Sequence, residues 1–389
     1  MNLDFYNCPQ PAQFDTKILP KDKPAFLDYR PDFAAMEAVV KEYEQYPNLL
    51  VIGHGGSVTS GYAFYNALKP TAKKKAYFLS SVDPDYITEL KSTLSPTDTL
   101  VLAITKSGEN TTQIEALSQF WEYPIVVVTG EGSSVEQAAQ KLNLRVVRHP
   151  VIGGRFTAFT EVALLPALFC GIDIDSLLRG GKEIHALYAQ DNLAFKAASV
   201  LWQLEQAGYV DVLGLVYSHY VCAVMPLATQ LCHESFGKDG KGQTYLFAEG
   251  SEVQHHTTQR FFGGRKNIVG WFIDVHSFAH QLVTSYPTSV HSVPFRKQPL
   301  FDLNKIPLQE SQHAELQGTL EDARLTGIPS IHMQLTAVEP VELGRLIAFW
   351  QLYVIYSSLF RRVNPFDQPG VERGKQISFD KRLAYKGIL

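Results

Sequence analysis

The run NLLVIGHGGS, residues 48 to 57, reads as a buried strand that turns through glycines directly into a helix. An apolar run without alternation suits a strand covered on both faces, the setting of a parallel sheet. Outward from it the same unit recurs. Ser57 to Leu68 carries a helical pattern, Ala76 to Ser81 a second strand, and the stretch from Asp83 another helix. Thr99 to Thr105 is a third strand, followed by a helix from Asn110 to Trp121. Pro124 to Gly130, a helix around Val135 to Leu142 and a short strand at Arg145 to His149 close a first cycle. Short β-rich runs alternating with amphipathic helices predict α/β architecture: a mainly parallel sheet flanked by helices, an αβα sandwich.

A helical stretch from Thr157 to Gly208 follows, with breaks expected at Gly171 and Gly180-Gly181. The alternation then resumes with strands at Asp211 to Ser218, Thr244 to Ala248, Lys266 to Val275 and Ser330 to Val338. Helices are expected at Val221 to Phe236, Glu252 to Phe262, Leu308 to Leu325 and Val341 to Arg361. Two successive cycles predict two domains of similar plan, residues 31–190 and 191–365. An irregular, proline-containing arm over residues 1–30 precedes them, and a C-terminal segment, 366–389, follows. No internal repeat is strong enough to mark the domains as duplicates.

Composition narrows the functional classes. Lysine and arginine total 35 against 39 acidic residues, a net charge of -4, which argues against a nucleic-acid binder and against an acidic disordered tail. The densest basic run, KPTAKKK from Lys69 to Lys75, reads as a solvated loop. A 45% hydrophobic content supplies side chains for packed cores. Cys8, Cys170, Cys222 and Cys232 show no metal-ligand spacing and read as reduced thiols in a cytoplasmic protein. The opening residues lack a charged start and apolar stretch, so no secretory signal is expected. Leu346 to Phe360 is shorter than the ~20 apolar residues of a span and contains Gln351, so no membrane role is expected.

Two loops could hold a phosphate. GHGGS, Gly53 to Ser57, offers glycines for close backbone approach, a helix N-terminus and the Ser57 hydroxyl. It lacks the third glycine of a dinucleotide fingerprint, since Val58 stands there. A tight turn with a serine cap would look the same. TKSGENTT, Thr105 to Thr112, places Thr105, Lys106, Ser107, Thr111 and Thr112 at the end of the third strand, where open α/β sheets bind ligands. Hydroxyls, amides and a cation suit a phosphomonoester, although Asn110 or Thr111 could simply cap the helix.

The pair GHGGS and TKSG resembles the phosphate-binding loops of a sugar isomerase (SIS) domain. GGRFT (Gly153 to Thr157), ESFGK (Glu234 to Lys238), Gln254-His255 and NPFDQPGVERGK (Asn364 to Lys375) narrow the likeness. Together they resemble the phosphoglucose isomerase family over about residues 48 to 378. The resemblance implies two SIS-type domains and an aldose–ketose isomerase acting on glucose 6-phosphate and fructose 6-phosphate, in glycolysis and gluconeogenesis, through a cis-enediolate and without a cofactor or metal. It assigns the C1–C2 proton transfer to Glu234, ring opening to His255 and Lys375, enediolate stabilisation to Arg155, and positioning to Gln368, Gly56 and Gly154. It also implies a homodimer in which a histidine of the second subunit completes each site. The only partner implied beyond that copy is the small-molecule sugar phosphate.

Taken alone, Glu234 reads as an exposed helix-end residue, His255 as a satisfied imidazole and Lys375 as an exposed helix lysine, and only the resemblance makes them an acid–base set. Enediol chemistry needs a base over the carbon, proton shuttles at the ring oxygen and a cation near the developing charge. His256 competes with His255 for the site, because neighbouring side chains on a helix point about 100° apart. Glu109 and Asn110 delay the hydroxyls after Gly108 and leave the register of Thr111 and Thr112 open; Glu109 is expected to point away. Two alternatives stand beside the leading reading. One is an isomerase that also accepts mannose 6-phosphate, and the other a non-catalytic SIS-domain sugar-phosphate sensor, which would have no use for Glu234, His255, Lys375 and Arg155.

Overall fold

The computed structural model describes residues 1–388. The arm expected to be irregular opens with a strand, β1 (Asn2–Tyr6), and helix α1 (Phe33–Glu42) follows it. The first α/β cycle comprises β2 (Asn48–Ile52), α2 (Gly56–Ala67), β3 (Lys75–Leu79), α3 (Pro84–Thr93), β4 (Thr99–Thr105), α4 (Thr111–Leu117), β5 (Ile125–Thr129), α5 (Ser134–Lys141) and β6 (Arg145–Arg148). Its sheet has the order β3-β2-β4-β5-β6 and is parallel throughout. Helix starts follow local chemistry: the side chains of Asp83, Asn110 and Ser133 accept N–H groups of the first turns of α3, α4 and α5.

Three helices, α6 (Glu161–Phe169), α7 (Ile174–His185) and α8 (Leu193–Gln206), lead to the second cycle. That cycle runs β7 (Asp211–Tyr217), α9 (His219–Cys222), α10 (Met225–Phe236), β8 (Thr244–Glu249), α11 (Gly250–Val253), α12 (Thr257–Gly263) and β9 (Ile268–Val275). A two-residue hairpin pair, β10 (Pro294–Phe295) and β11 (Gln298–Pro299), precedes α13 (Leu308–Leu325) and β12 (Ser330–Leu335). The second sheet has the order β1-β12-β9-β7-β8, with only β1 antiparallel. Helices α14 (Pro340–Arg361) and α15 (Glu372–Tyr385) end the chain. The expected α/β class with parallel sheets flanked by helices is thus the observed one.

Alternation along each strand sorts side chains onto two faces. Leu50, Ile52, Val101 and Ala103 face α3, α4 and α5. Leu49, Val51, Leu100 and Leu102 face the other way, into a core that also takes Val212, Val216, Trp271 and Ile273 from the second sheet. Leu213, Leu215 and Phe272 turn outward to α12 and α13. One helical layer is therefore shared by both sheets, and α14 runs through it.

Helix α14 explains a misreading of Gly180 and Gly181. They lie inside α7 rather than breaking it. A Cβ on Gly180 would stand 1.9 Å from the Val341 carbonyl oxygen, and one on Gly344 would stand 2.1 Å from that of Leu177. The glycines let the two helices touch backbone to backbone. Helix α14 has 22 residues, enough by length and composition to cross a membrane, yet 83% of its most apolar stretch is buried inside the fold. Length therefore does not separate it from a span; burial between the sheets does. All four cysteines are free thiols, with Cys170 and Cys232 buried.

His185, at the end of α7, sits against Phe26 and Phe159 and donates from Nε2 to Gln351 Oε1 at 2.9 Å. Burial pushes its pKa down to about 4. A histidine depressed in the folded state binds its proton in the unfolded chain first, so stability is lost as pH falls from about 6.5 towards 4. From pH 7 to pH 4.5, urea unfolding of the wild type should lose about 2 kcal/mol more than that of His185→Gln. Equal losses would mean that the histidine is protonated in the fold.

Candidate active site

The first sheet is entered at β2 and wound outward to both sides, and the second α/β cycle winds outward in the same way from β7. The first sheet's switch point lies between β2 and β4, whose carboxyl ends carry GHGGS and TKSG. Gln113, almost fully buried, straddles that point: its Nε2 donates to the carbonyls of Ile52 at 3.1 Å and Ile104 at 2.5 Å. Thr105 is buried, and its Oγ1 accepts the Gly108 N–H at 3.2 Å, so its oxygen shapes the loop. Lys106 and Ser107 are exposed, and Thr111 and Thr112 begin α4 behind an Asn110 cap. Glu109 is exposed. Burial pushes the pKa of His54 down, so the first loop contributes amide dipoles and hydroxyls, not a charge.

The first loop abuts the GGR turn. A Cβ on Gly56 would lie 2.0 Å from the Gly154 carbonyl carbon, so only glycine fits, and Thr157 Oγ1 donates to Gly154 O at 2.6 Å and Gly56 O at 3.3 Å. Arg155, next in line, is 4% exposed. Its four terminal N–H groups donate to Glu234 O at 2.5 Å, Pro365 O at 3.0 Å, Asp367 O at 3.1 Å and Gln368 Oε1 at 2.7 Å. Its Nε lies 2.9 Å from Glu234 Oε2. Burial lowers the pKa of this guanidinium, and Glu234 and Asp367 oppose the shift; a guanidinium stays charged regardless.

Glu234 is near the end of α10, its side chain 27% exposed. Its other oxygen accepts from Gln230 Nε2 at 2.9 Å. Lys238, nearly buried, donates to Asn364 O, to Asp367 O at 2.7 Å and to Asp367 Oδ1 at 2.5 Å. That lysine holds the Asp367 carboxyl below its usual range. The motifs GGR, ESFGK and NPFDQ thus form one knot, in contact with the phosphate-type loop through Gly56 and Gly154. It can bind an anion at the helix N-termini and move a proton at a partly open carboxylate beside a fixed cation.

The family model of phosphoglucose isomerase matches residues 32–384. The chain belongs to the phosphoglucose isomerase family. A probable glucose-6-phosphate isomerase of Methanococcus maripaludis is 26% identical over 379 residues, covering 91% of this chain and 83% of that protein. Among solved structures, a hypothetical protein of Thermus thermophilus superposes with a TM-score of 0.82 at 25% identity, covering 94% and 92% of the two chains. A glucose-6-phosphate isomerase of Chlamydia trachomatis shares the fold with a TM-score of 0.78 at 20% identity over 98% and 82%.

Of the residues that the phosphoglucose isomerase likeness singles out, one chain brings together Gly56, Ser57, Gly154, Arg155, Glu234 and Gln368. His255 and Lys375 make no hydrogen bond or ion pair with that group among the described residues. The helix expected over Glu252 to Phe262 is interrupted, and His255 lies exposed in the turn between α11 and α12. His256 is also exposed, its Nδ1 2.6 Å from Thr257 Oγ1. Lys375, exposed on helix α15, which buries no residue, pairs with Glu372 at 2.7 Å. Helix α15 is tied to α4 by the Arg382–Glu115 pair, over a cavity of about 670 Å³ that Thr111 also lines. Sequence reading passed over Gln230, although its place one helical turn before Glu234 was visible.

A lysine at 155 cannot reproduce the planar fork. Arg155→Lys should therefore raise amide hydrogen exchange across residues 364–368 about tenfold or more, the equivalent of losing one charge-assisted bond of about 1.5 kcal/mol. Unchanged exchange would mean that Lys238 alone holds the loop.

Proposed function

We propose that this chain interconverts glucose 6-phosphate and fructose 6-phosphate by proton transfer at Glu234. The observation that carries the reading is the Glu234 carboxylate, partly open and held between Arg155 and Gln230 beside the phosphate-type turn. In this mechanism Ser57, Ser107, Thr111 and Thr112, with Lys106 and the N-termini of α2 and α4, receive the phosphate. Thr105 supports the second loop from beneath. Once the ring is open, Glu234 takes the proton from C2 of the aldose, leaving an enediolate, and returns it to C1 while the hydroxyl proton passes from O2 to O1, so that the carbonyl moves from C1 to C2. Arg155 opposes the enediolate charge. Because its terminal N–H groups are occupied by protein acceptors, it acts as a fixed positive charge rather than as a new hydrogen-bond donor. Gln368 keeps the guanidinium in place.

Glu234→Gln keeps the shape and removes the base. Turnover of fructose 6-phosphate in a coupled assay should fall about 10³-fold while sugar-phosphate binding stays within a few-fold. Near-normal turnover would remove Glu234 from this role.

The ring-opening pair belongs to a larger assembly in this reading. His255 of one copy serves the Glu234 of another in a cytoplasmic homodimer, and Lys375 approaches the same ring oxygen. The two domains of each copy divide near residue 190. Glu234→Gln and His255→Ala, each inactive alone, should recover about a quarter of wild-type activity when unfolded and refolded together, since each mixed dimer holds one intact site. No recovery from a soluble mixed dimer would place both residues in one chain's site.

A further inference from the structure

The second grip on Glu234 has a support of its own. Gln230 presents its Nε2 to Glu234 Oε1. A carboxylate can only accept, so the amide nitrogen must face Glu234 and the amide oxygen must face away. That oxygen accepts from Thr59 Oγ1 at 2.6 Å. Thr59 is half-buried in the first turn of α2, the helix that begins at the phosphate-type loop. Gln230 also borders that loop directly: a Cβ on Gly55 would stand 3.1 Å from its Nε2.

We propose that Thr59 is a positioning residue for proton transfer, its hydroxyl anchoring the outward amide oxygen of Gln230 and so holding the amide nitrogen against the base. The proposal rests on the reading of Glu234 as that base. A glutamine amide presents a donor at one end and an acceptor at the other, so its orientation decides whether it steadies or repels a carboxylate. The carboxylate sets that orientation, and the Thr59 hydroxyl donates to the amide oxygen left facing it, which holds the amide in place against the base. The chain Thr59–Gln230–Glu234 thus joins the helix that starts at the phosphate loop to the helix that carries the base. With Arg155 on Oε2, both carboxylate oxygens are then held by groups that are themselves held.

The test compares wild type, Thr59→Val and Thr59→Ser on fructose 6-phosphate. Valine keeps the branched shape without the hydroxyl, and serine restores the hydroxyl. In Thr59→Val, kcat should fall about tenfold with KM within about twofold, and the acid limb of the pH–rate profile should move upward, as expected for a carboxylate that has lost a donor. Thr59→Ser should return both towards wild type. An unmoved acid limb, or serine behaving like valine, overturns the proposal. Should valine not fold, Thr59→Ala is read by the same criteria. A second readout does not depend on turnover: the Gln230 side-chain amide protons should exchange at least about tenfold more slowly in wild type than in Thr59→Val. Equal exchange sinks the relay, whereas a wild type without isomerase activity but with protected Gln230 protons sinks the assigned reaction and leaves the relay standing.

Discussion

A guanidinium taken out of water must find acceptors in the protein, and at Arg155 those acceptors come from segments far apart in the chain. Glu234 lies near the end of α10, which follows β7 of the second sheet, while Pro365, Asp367 and Gln368 follow the last core helix, α14. Arg155 itself leaves the first sheet just after its last strand. The charge is satisfied only when all three are in place, so neither sheet can build the site alone. Helix α14 sets where the 364–368 loop begins, and the glycine contact with α7 sets where α14 lies. A packing constraint in the shared helical layer therefore reaches the carboxylate through two backbone contacts and one cation.

The two sheets contribute differently. The first supplies loops between a strand and the start of a helix, where free N–H groups and the helix dipole favour an anion. The second supplies the end of α10, where the chain can expose a carboxylate against a loop. Substrate phosphate and reacting carbons have opposite needs, dense hydrogen-bond donors for one and a base with restricted freedom for the other. Splitting them between a helix start and a helix end meets both without placing the carboxylate among the anion-binding groups. Gly56 and Gly154 are small enough to let those two environments touch.

Much of the fold was legible because parallel strands covered on both faces leave unbroken apolar runs such as Thr99 to Thr105, and caps such as Asp83 mark the helix starts. What was not legible depends on partners remote in sequence. NLDFY becomes a strand only because β12 offers an edge. Gly180 and Gly181 have the composition of a break, and only the approach of α14 shows that they are a contact. The turn at His255 interrupts a helical pattern without a proline or glycine to announce it. At the site, motif residues Arg155, Glu234 and Gln368 meet. The pairing of Thr59 with Gln230 joins residues 171 positions apart, and no local pattern could disclose it.

The division between what one chain assembles and what it leaves outside follows the order of the proposed chemistry. The proposed proton-transfer group lies within one chain, with Glu234 held at both oxygens and Arg155 held at its fork. His255 and Lys375, the proposed ring-opening pair, stand on exposed elements, a turn between short helices and a helix without a buried residue. A base that moves a proton between neighbouring carbons must hold its geometry in every turnover, and burial of its supports gives it that rigidity. Groups that open a ring must first admit the substrate, so surface elements suit them. In the proposed reading, an active site whose rigid half is internal and whose admitting half is brought by α15 and a second copy reconciles a preorganised base with access for a bulky cyclic sugar phosphate.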